Sequence, residues 1–460
     1  VLDTKIEDRD PYMDDDLAAF PYVNGGLFAE EDIIIPKFTD EIIDLLLHNA
    51  SEDFNWSSIS PTIFGAVFES TLNPDTRRAG GMHYTSIENI HKVIDPLFFD
   101  SLSAELEQIA AIPVEKTKMR RLDEFQDKLA SLTLLDPACG SGNFLTETYL
   151  SLRRLQNKAV MLRLGEQIVM GDAADFNPIQ VSIGQFYGIE INDFAVTVAK
   201  TALWIAESQM MKETEEIVHM HLDFLPLTSY ANIVEGNALR IDWETVVPKD
   251  KLNYIMGNPP FVGSSIMAQG SEQKQDVQRV FDFLDKNEVQ DLDYVTCWYK
   301  LAVDYIRNTS IEVCFVSTNS IAQGSQVPIL WGALLRQDDV HINFAYQTFK
   351  WNSESNNKAA VHCVIICFSL KARENKAIFG NNVSKVVESI SPYLVAGDNT
   401  FVVARKKPIC KVPEICFGNQ PRDGGFFILT DEEKAEVLQK EPSLTKWIRL
   451  YVGATEFINN

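Results

Sequence analysis

Gly257-Asn258-Pro259-Pro260-Phe261 follows the apolar run Tyr254-Ile255-Met256, and its residue types suit the handling of an exocyclic amino group. Two prolines directly after an asparagine cannot continue a hydrogen-bonded ladder, so the chain must leave its strand and project polar groups outward. The side-chain oxygen of Asn258 and the carbonyl of Pro259 can then both accept hydrogen bonds from one –NH₂ group, while Phe261 offers a ring for a planar base to stack on. An Asn-Pro-Pro turn alone is common. What sharpens it is Asp136-Pro137-Ala138-Cys139-Gly140-Ser141-Gly142-Asn143-Phe144, which begins 122 residues upstream.

That upstream stretch ends another apolar run and opens a helical one. Gly140 and Gly142 let a ligand approach the backbone closely, and the following helix start offers unpaired N–H groups. A Walker phosphate loop is excluded because the Gly-Lys-Ser/Thr ending is missing, and the third glycine of the dinucleotide fingerprint is missing too. The acid at Asp136 argues against a pyrophosphate and for a cationic ligand. Some 54 residues further on, Phe186-Tyr187-Gly188-Ile189-Glu190 is an apolar run ending in a carboxylate that can accept both hydroxyls of a ribose. Glu235-Gly236-Asn237-Ala238-Leu239 ends a third run, where a side-chain amide can meet an adenine edge.

The elements that position these residues read as strands alternating with helices. Short apolar runs occur at 132–135, 186–189, 231–234, 254–256, 311–316, 342–346 and 361–368, with helical stretches between most of them. This pattern predicts an α/β fold of the doubly wound, Rossmann-like type, with a mostly parallel sheet covered on both faces. The last two runs lie only about 15 residues apart with no obvious helix between them, so they can close the sheet as an antiparallel pair. Before the sheet, from about Phe38 to Leu132, the pattern is mostly helical; Thr39 ahead of Asp40-Glu41 and an apolar stripe marks one helix start, and Ser86 marks another. From roughly Thr400 the texture shifts to Pro, Gly and basic residues. The expected domains are a helical N-terminal spacer at 1–130, a catalytic domain at 131–400 and the opening of a truncated further domain at 401–460.

At 460 residues, 45% hydrophobic and 23% charged, the chain is an ordinary globular protein, which excludes collagen-like, coiled-coil and disordered readings. Its net charge of −24 argues against a surface coated for nucleic acid, but the charge is uneven. Residues 1–100 carry 20 acids and 6 bases, a net of −14, whereas residues 301–460 carry 16 acids and 17 bases. Arg405-Lys406-Lys407, Lys411 and Arg422 group near the end, so a polyanion partner should prefer the C-terminal half. The seven cysteines include no Cys-x-x-Cys pair, as suits a reduced cytoplasmic protein rather than a disulfide scaffold or zinc module. The apolar runs are too short to span a bilayer, and no signal peptide is visible. The chain opens with Val1 in mid-pattern and is expected to be part of a longer polypeptide.

On the Asn-Pro-Pro-Phe and Asp-Pro-Ala-Cys-Gly-Ser-Gly segments, the sequence resembles the amino-methylating DNA methyltransferases of the gamma arrangement, which use S-adenosylmethionine. Ile63–Glu69, Gly81–Ser86, Phe349-Lys350-Trp351 and Trp447–Asn459 look most like the large single-chain bacterial type IIG and IIL restriction–modification enzymes, in which nuclease, helical spacer, methyltransferase and target recognition domain are fused. The resemblance implies cofactor contacts from Tyr84 and Thr85 at the methionine end, Asp136 facing the methionine ammonium, and Ala138, Gly140 and Gly142 in the cofactor turn. It further implies Glu190 on the ribose and Asn237 with Ala238 at the adenine edge, where the family often has Asp. Asn258, Pro259, Pro260 and Phe261 match the catalytic motif. One aromatic of Phe349 and Trp351 is implied on the other face of the target base, and double-stranded DNA and the rest of a restriction–modification polypeptide are the implied partners.

The implied reaction is methylation of a flipped adenine at N6. N4-cytosine methylation uses the same amino chemistry, and a catalytically silent methylase-like scaffold is the alternative from another class. Cytosine-C5 methylation is excluded because it needs a nucleophilic Cys after Pro, and no Pro-Cys dipeptide occurs. No metal is expected: His219-x-His221 lacks a third ligand nearby, and Cys363 and Cys367 sit in an apolar run. Glu432-x-Lys434 follows Thr430 in a capping pattern at a helix start, so it does not support a nuclease.

Overall fold

The computed structural model of the chain describes residues 10, 13, 37–52, 59–63, 85–165, 177–219, 231–268, 270–337, 339–350, 361–380, 383–405, 407–413 and 423–459. Nine strands form one sheet: β1 (Leu134–Asp136), β2 (Phe186–Glu190), β3 (Asn232–Glu235), β4 (Tyr254–Gly257), β5 (Glu312–Thr318), β6 (His341–Lys350), β7 (His362–Ser369), β8 (Lys376–Gly380) and β9 (Val383–Val387), in the order β3-β2-β1-β4-β5-β7-β6-β8-β9. The first five are mutually parallel; β7 inserts antiparallel between β5 and β6. Because β6 pairs antiparallel with β7, it runs in the direction of β5. The carboxyl ends of β1, β2, β4, β5 and β6 therefore share one edge, where ligands of doubly wound sheets bind.

Alternate residues along the strands supply two cores. Leu134, Phe186, Met256, Val316, Phe344 and Ile365 face one way, against α1 (Ile87–Ile94), α2 (Asp100–Ala110), α3 (Glu115–Ser131), α4 (Asn143–Leu164) and α5 (Asp193–Val218). Leu135, Ile255, Phe315, Ile366 and Phe368 face the other, against α6 (Glu272–Val280), α7 (Thr296–Tyr305) and α8 (Gln326–Gln337). This is the period-2 alternation of strands buried on both faces. On the second face Tyr299 stacks on Phe368 with ring centroids 5.3 Å apart, and the indole of Trp331 donates to the carbonyl of Ile321. Thus the helices before β1, from Ile87 onward, bury Ile90, Val93, Leu97 and Phe98 in the same core as the sheet.

The run from α1 to α2 is interrupted by a π-helical turn, Asp95–Phe99, with Pro96 near its start. Proline lacks the donor a regular turn requires, and wider turns open at such places. The guanidinium of Arg373, between β7 and β8, donates to the carbonyls of Pro96 (2.8 Å) and Leu97 (2.6 Å). The same group pairs with Glu312 at the start of β5, 2.8 Å from Nε to Oε2. Removing one member of such a partly buried network leaves several groups unsatisfied at once.

His91 ties the middle of α1 to α4. Its Nδ1 lies 2.8 Å from Asp95 and its Nε2 lies 3.3 Å from the buried Glu147. The hydrogen bond to Asp95, then that to Glu147, pushes the imidazole pKa up to about 9, against the opposing effect of burial. A histidine raised in the folded state contributes stability that is complete below its ordinary value near 6.5 and is lost as pH rises through about 9. The His91→Gln protein should therefore melt below the wild type at pH 6.5, and the gap should close by pH 9.5 or so in thermal melts. A gap that is constant across this range would show that the charge on His91 is irrelevant to the docking.

The described residues divide into two compact units, 1–403 and 404–460. In the second, the helix Asp431–Lys440 starts with the expected capping box: Thr430 Oγ1 accepts from the N–H of Glu433 (3.2 Å), and Glu433 Oε2 accepts from the N–H of Thr430 (2.9 Å). Strands β8 and β9, which extend the sheet, have no counterpart in the sequence reading. No helix among the described residues is long and apolar enough to cross a membrane.

Candidate cofactor and amino-group site

Strand β1 ends at Asp136, which is 1% exposed, and the chain turns through Pro137–Gly142 into α4. The turn is fastened from three sides. The N–H of Ala138 donates to Asp136 Oδ1 (3.0 Å), the N–H of Cys139 donates to the carbonyl of Ile189 on β2 (3.1 Å), and the indole of Trp298 on α7 donates to the carbonyl of Pro137 (3.1 Å). Gly142 adopts a left-handed φ of +78°, and a Cβ there would press on Ala199 of α5 at 2.8 Å. Only glycine meets both demands. Gly140, also at positive φ, faces open space with nothing within 4 Å of where a Cβ would stand. An approaching ligand would find backbone at this point.

Glu190, at the end of β2, is 8% exposed and anchors its carboxylate on two backbone donors: Oε2 on the N–H of Gly140 (2.9 Å) and Oε1 on that of Asn192 (3.0 Å). Burial raises its pKa, and those N–H groups oppose the rise. Asp136 is pushed up to about 8, chiefly by burial; the hydrogen bond from Ala138 works against this and the negative charge of Glu190 adds to it. Two carboxyl groups thus flank the turn, and a cation would relieve the cost of ionising the deeper one. Burial also pushes the thiol of Cys139 well up, so it stays protonated.

Asn258 follows β4, the strand next to β1. Gly257 makes the adjacency possible: a Cβ there would overlap the carboxylate of Asp136. Asn258 Nδ2 donates to the hydroxyl of Thr85, 3.1 Å away and 173 positions earlier in the chain. Pro259 is buried and Pro260 half-buried, and Phe261 packs partly against both cores. The loop beyond is held by Asp293, whose Oδ1 accepts from the N–H of Ser264 (2.7 Å) and whose Oδ2 accepts from Ser320 (2.6 Å). Phe349, near the end of β6, reaches the same sheet edge, half-buried with Lys92 Nζ 5.5 Å from its ring centre.

Asp136, Ala138, Gly140, Gly142, Glu190, Asn258, Pro259, Pro260 and Phe261 are therefore brought together by the carboxyl ends of the neighbouring strands β1, β2 and β4, with Thr85 reaching them from the chain just ahead of α1, while Phe349 stands on the same sheet edge with β5 and β7 between β4 and its own strand β6. Tyr84 and Trp351 lie outside the described residues. Asn237 is placed just past β3, but its amide is engaged in the turn: Oδ1 accepts from the N–H of Leu239 (2.9 Å) and Nδ2 donates to Asp276 (3.3 Å). Ala238 is buried, with its carbonyl accepting from the indole of Trp243 (2.8 Å). Asp276 also receives Arg240 Nε (3.0 Å) and the hydroxyl of Tyr294 (3.3 Å). Sequence reading missed Asp276, Asp293 and Trp298; each lies in a helix or loop without local pattern, and only the fold reveals them.

The residue set fits a nucleoside-bearing cation: a deep acid without a cationic partner in the hydrogen bonds described above, a second acid one turn away, and a glycine surface between them. Comparison with known proteins points the same way. Residues 113–380, more than half of the chain, match the family described as MmeI, DNA-methyltransferase domain, and residues 396–460 match MmeI, target recognition domain. DNA methyltransferase A of Bacillus subtilis (strain 168) is 39% identical over 466 residues, covering 100% of this chain and 50% of that protein. The solved structure of the type IIL restriction-modification enzyme MmeI in complex with DNA is 41% identical, with a TM-score of 0.89 over 99% of this chain and 60% of that one. The chain thus spans about half the length of these relatives. A doubly wound sheet whose glycine turn and Asn-Pro-Pro-Phe loop meet at one edge, matched along most of its length, places this chain in the MmeI family of DNA methyltransferases.

Proposed function

We propose that this chain transfers a methyl group from S-adenosylmethionine to the N6 amino group of an adenine flipped out of double-stranded DNA, as the modification part of a cytoplasmic restriction–modification protein. The observation that carries the reading is the adjacency of Asn258 and Asp136 across Gly257, which sets an amino-group acceptor beside a cation-binding acid. S-adenosylmethionine, when bound, supplies a methyl group activated on a sulfonium. Asp136 would hold its ammonium, Glu190 its ribose hydroxyls, and the Ala138–Gly142 turn its backbone-facing side. Glu190 retains acceptor capacity for this, because each carboxylate oxygen has more than one lone pair.

An adenine amino nitrogen is a poor nucleophile because its lone pair is delocalised into the ring. Asn258 Oδ1 and the Pro259 carbonyl, by accepting hydrogen bonds from its two N–H groups, favour a more tetrahedral nitrogen and stabilise the positive charge that develops on it. Phe261 on one side, and Phe349 or Trp351 on the other, would repay the few kcal/mol of unstacking that a flipped base costs, roughly. In this reading the chain is organised as a helical region at 1–130, the methyltransferase domain at 131–400 and the start of a target recognition domain from 401. The inner faces of the helices from Ile87 belong to the methyltransferase core.

Sequencing that maps modified bases in DNA from cells expressing the full-length protein tests the proposal. N6-methyladenine at one recurring sequence is expected. N4-methylcytosine at such a sequence would overturn the choice of adenine, and no modification by a folded, cofactor-binding protein would overturn the activity.

A further inference from the structure

We infer that Thr85 is a positioning residue for Asn258, setting the plane of its amide for the incoming amino group. This rests on the reading of Asn258 given above and departs from the cofactor contact that family resemblance implies for Thr85. Thr85 is only 5% exposed, and its Oγ1 receives Asn258 Nδ2 at 3.1 Å. The terminal torsion of an asparagine is broad and roughly twofold, so an amide held at one end of its plane is far better defined than one left to turn. With Nδ2 directed at Thr85, Oδ1 is turned to the opposite side of the plane. Donation from Nδ2 also polarises the amide and makes Oδ1 a stronger acceptor.

The hydroxyl is itself well supported. Thr85 stands directly before Ser86, the N-cap of α1, and α1 buries Asn89, Ile90, Val93 and Ile94 against the sheet and is tied to α4 through His91 and Glu147. A helix therefore sets the position of the atom that orients the amide, and Asn258 is gripped from outside its own loop. Such an arrangement acts on the reaction step and leaves cofactor affinity untouched.

The test uses the full-length protein and its Thr85→Val, Thr85→Ser and Thr85→Ala variants. Single-turnover methyl transfer is measured at saturating S-adenosylmethionine and DNA, with cofactor affinity measured separately by calorimetry. Thr85→Val and Thr85→Ala should slow transfer about 10- to 100-fold, the scale of leaving one buried polar group without its partner, with the cofactor Kd unchanged within about twofold. Thr85→Ser should restore most of the rate. Weakened cofactor binding with wild-type transfer at saturation would overturn the inference and make Thr85 a cofactor contact. Slow transfer by Thr85→Ser would overturn it too, since that variant keeps the hydroxyl. Wild-type transfer by Asn258→Ala would instead overturn the reading of Asn258 itself, and that measurement is independent of the Thr85 series.

Discussion

Asn258→Ala should bind S-adenosylmethionine with near wild-type affinity and yet transfer methyl groups at least about 10²- to 10³-fold more slowly, the scale seen when one preorganised polar group is removed from a reaction centre. The expectation follows from what each group touches. Asn258 Nδ2 is fastened to Thr85, whereas the carboxylates of Asp136 and Glu190 are held by N–H groups of the glycine turn, so the loss of the Asn258 side chain should leave those anchors of the cofactor side in place. The acceptor it provides matters mainly when the amino nitrogen pyramidalises, which is why the effect should fall on the transfer step and not on cofactor binding. Wild-type turnover by this variant would sink the proposed role of the Asn-Pro-Pro-Phe loop, whatever the state of its DNA binding.

Asp136→Asn should have the opposite profile, losing about 10- to 100-fold in cofactor affinity, the range for a charge-assisted hydrogen bond. It also carries a pH signature. Burial pushes the carboxyl up to about 8, so at neutral pH it is mostly protonated before the cofactor arrives, and pairing with an ammonium requires it to ionise. Calorimetry at pH 6.5 in two buffers of different ionisation enthalpy should register release of close to one proton, and the Asn variant should release none. The stability effect has a definite sign. A carboxyl raised from 3.8 to about 8 on folding contributes stability that is complete below 3.8 and is lost as pH rises through about 8. Cofactor-free Asp136→Asn should therefore melt above the wild type at pH 8.5 and lose that advantage as the pH is lowered. Cofactor binding by this variant with unchanged affinity and proton release would remove Asp136 from the site.

Much of the scaffold was legible because its signals are local. Apolar runs such as Glu312–Thr318 and His362–Ser369 announce strands, and Thr430 with Glu433 announces a capping box that forms as drawn. Strands β8 and β9 escaped because Lys376–Gly380 and Val383–Val387 are short, carry lysine and form the last two strands at one end of the sheet, where burial does not demand an apolar run. The insertion of β7 between β5 and β6 escaped because the sequence shows that two strands are neighbours but not on which side each one pairs. The amide of Asn237 is a different case: its motif position is legible and its Oδ1 is taken by the N–H of Leu239 two residues on, but the Asp276 carboxylate that accepts from its Nδ2 comes from α6, 39 positions away. The link between Thr85 and Asn258 spans 173 positions and leaves no local trace.

The three attachments of the α1–α2 segment have a mechanical meaning. Arg373 clamps the π-helical turn to β5 through Glu312, His91 staples the middle of α1 to α4, and Thr85 stands at the tip. The segment is a beam with its root in the middle of the sheet and its tip at the side-chain amide of Asn258. A load applied to the chain ahead of residue 85 would meet the tip first and pass down α1 to the clamp at Arg373, so the precision of Asn258 depends on the stiffness of the two helical turns between them rather than on the calm of a loop.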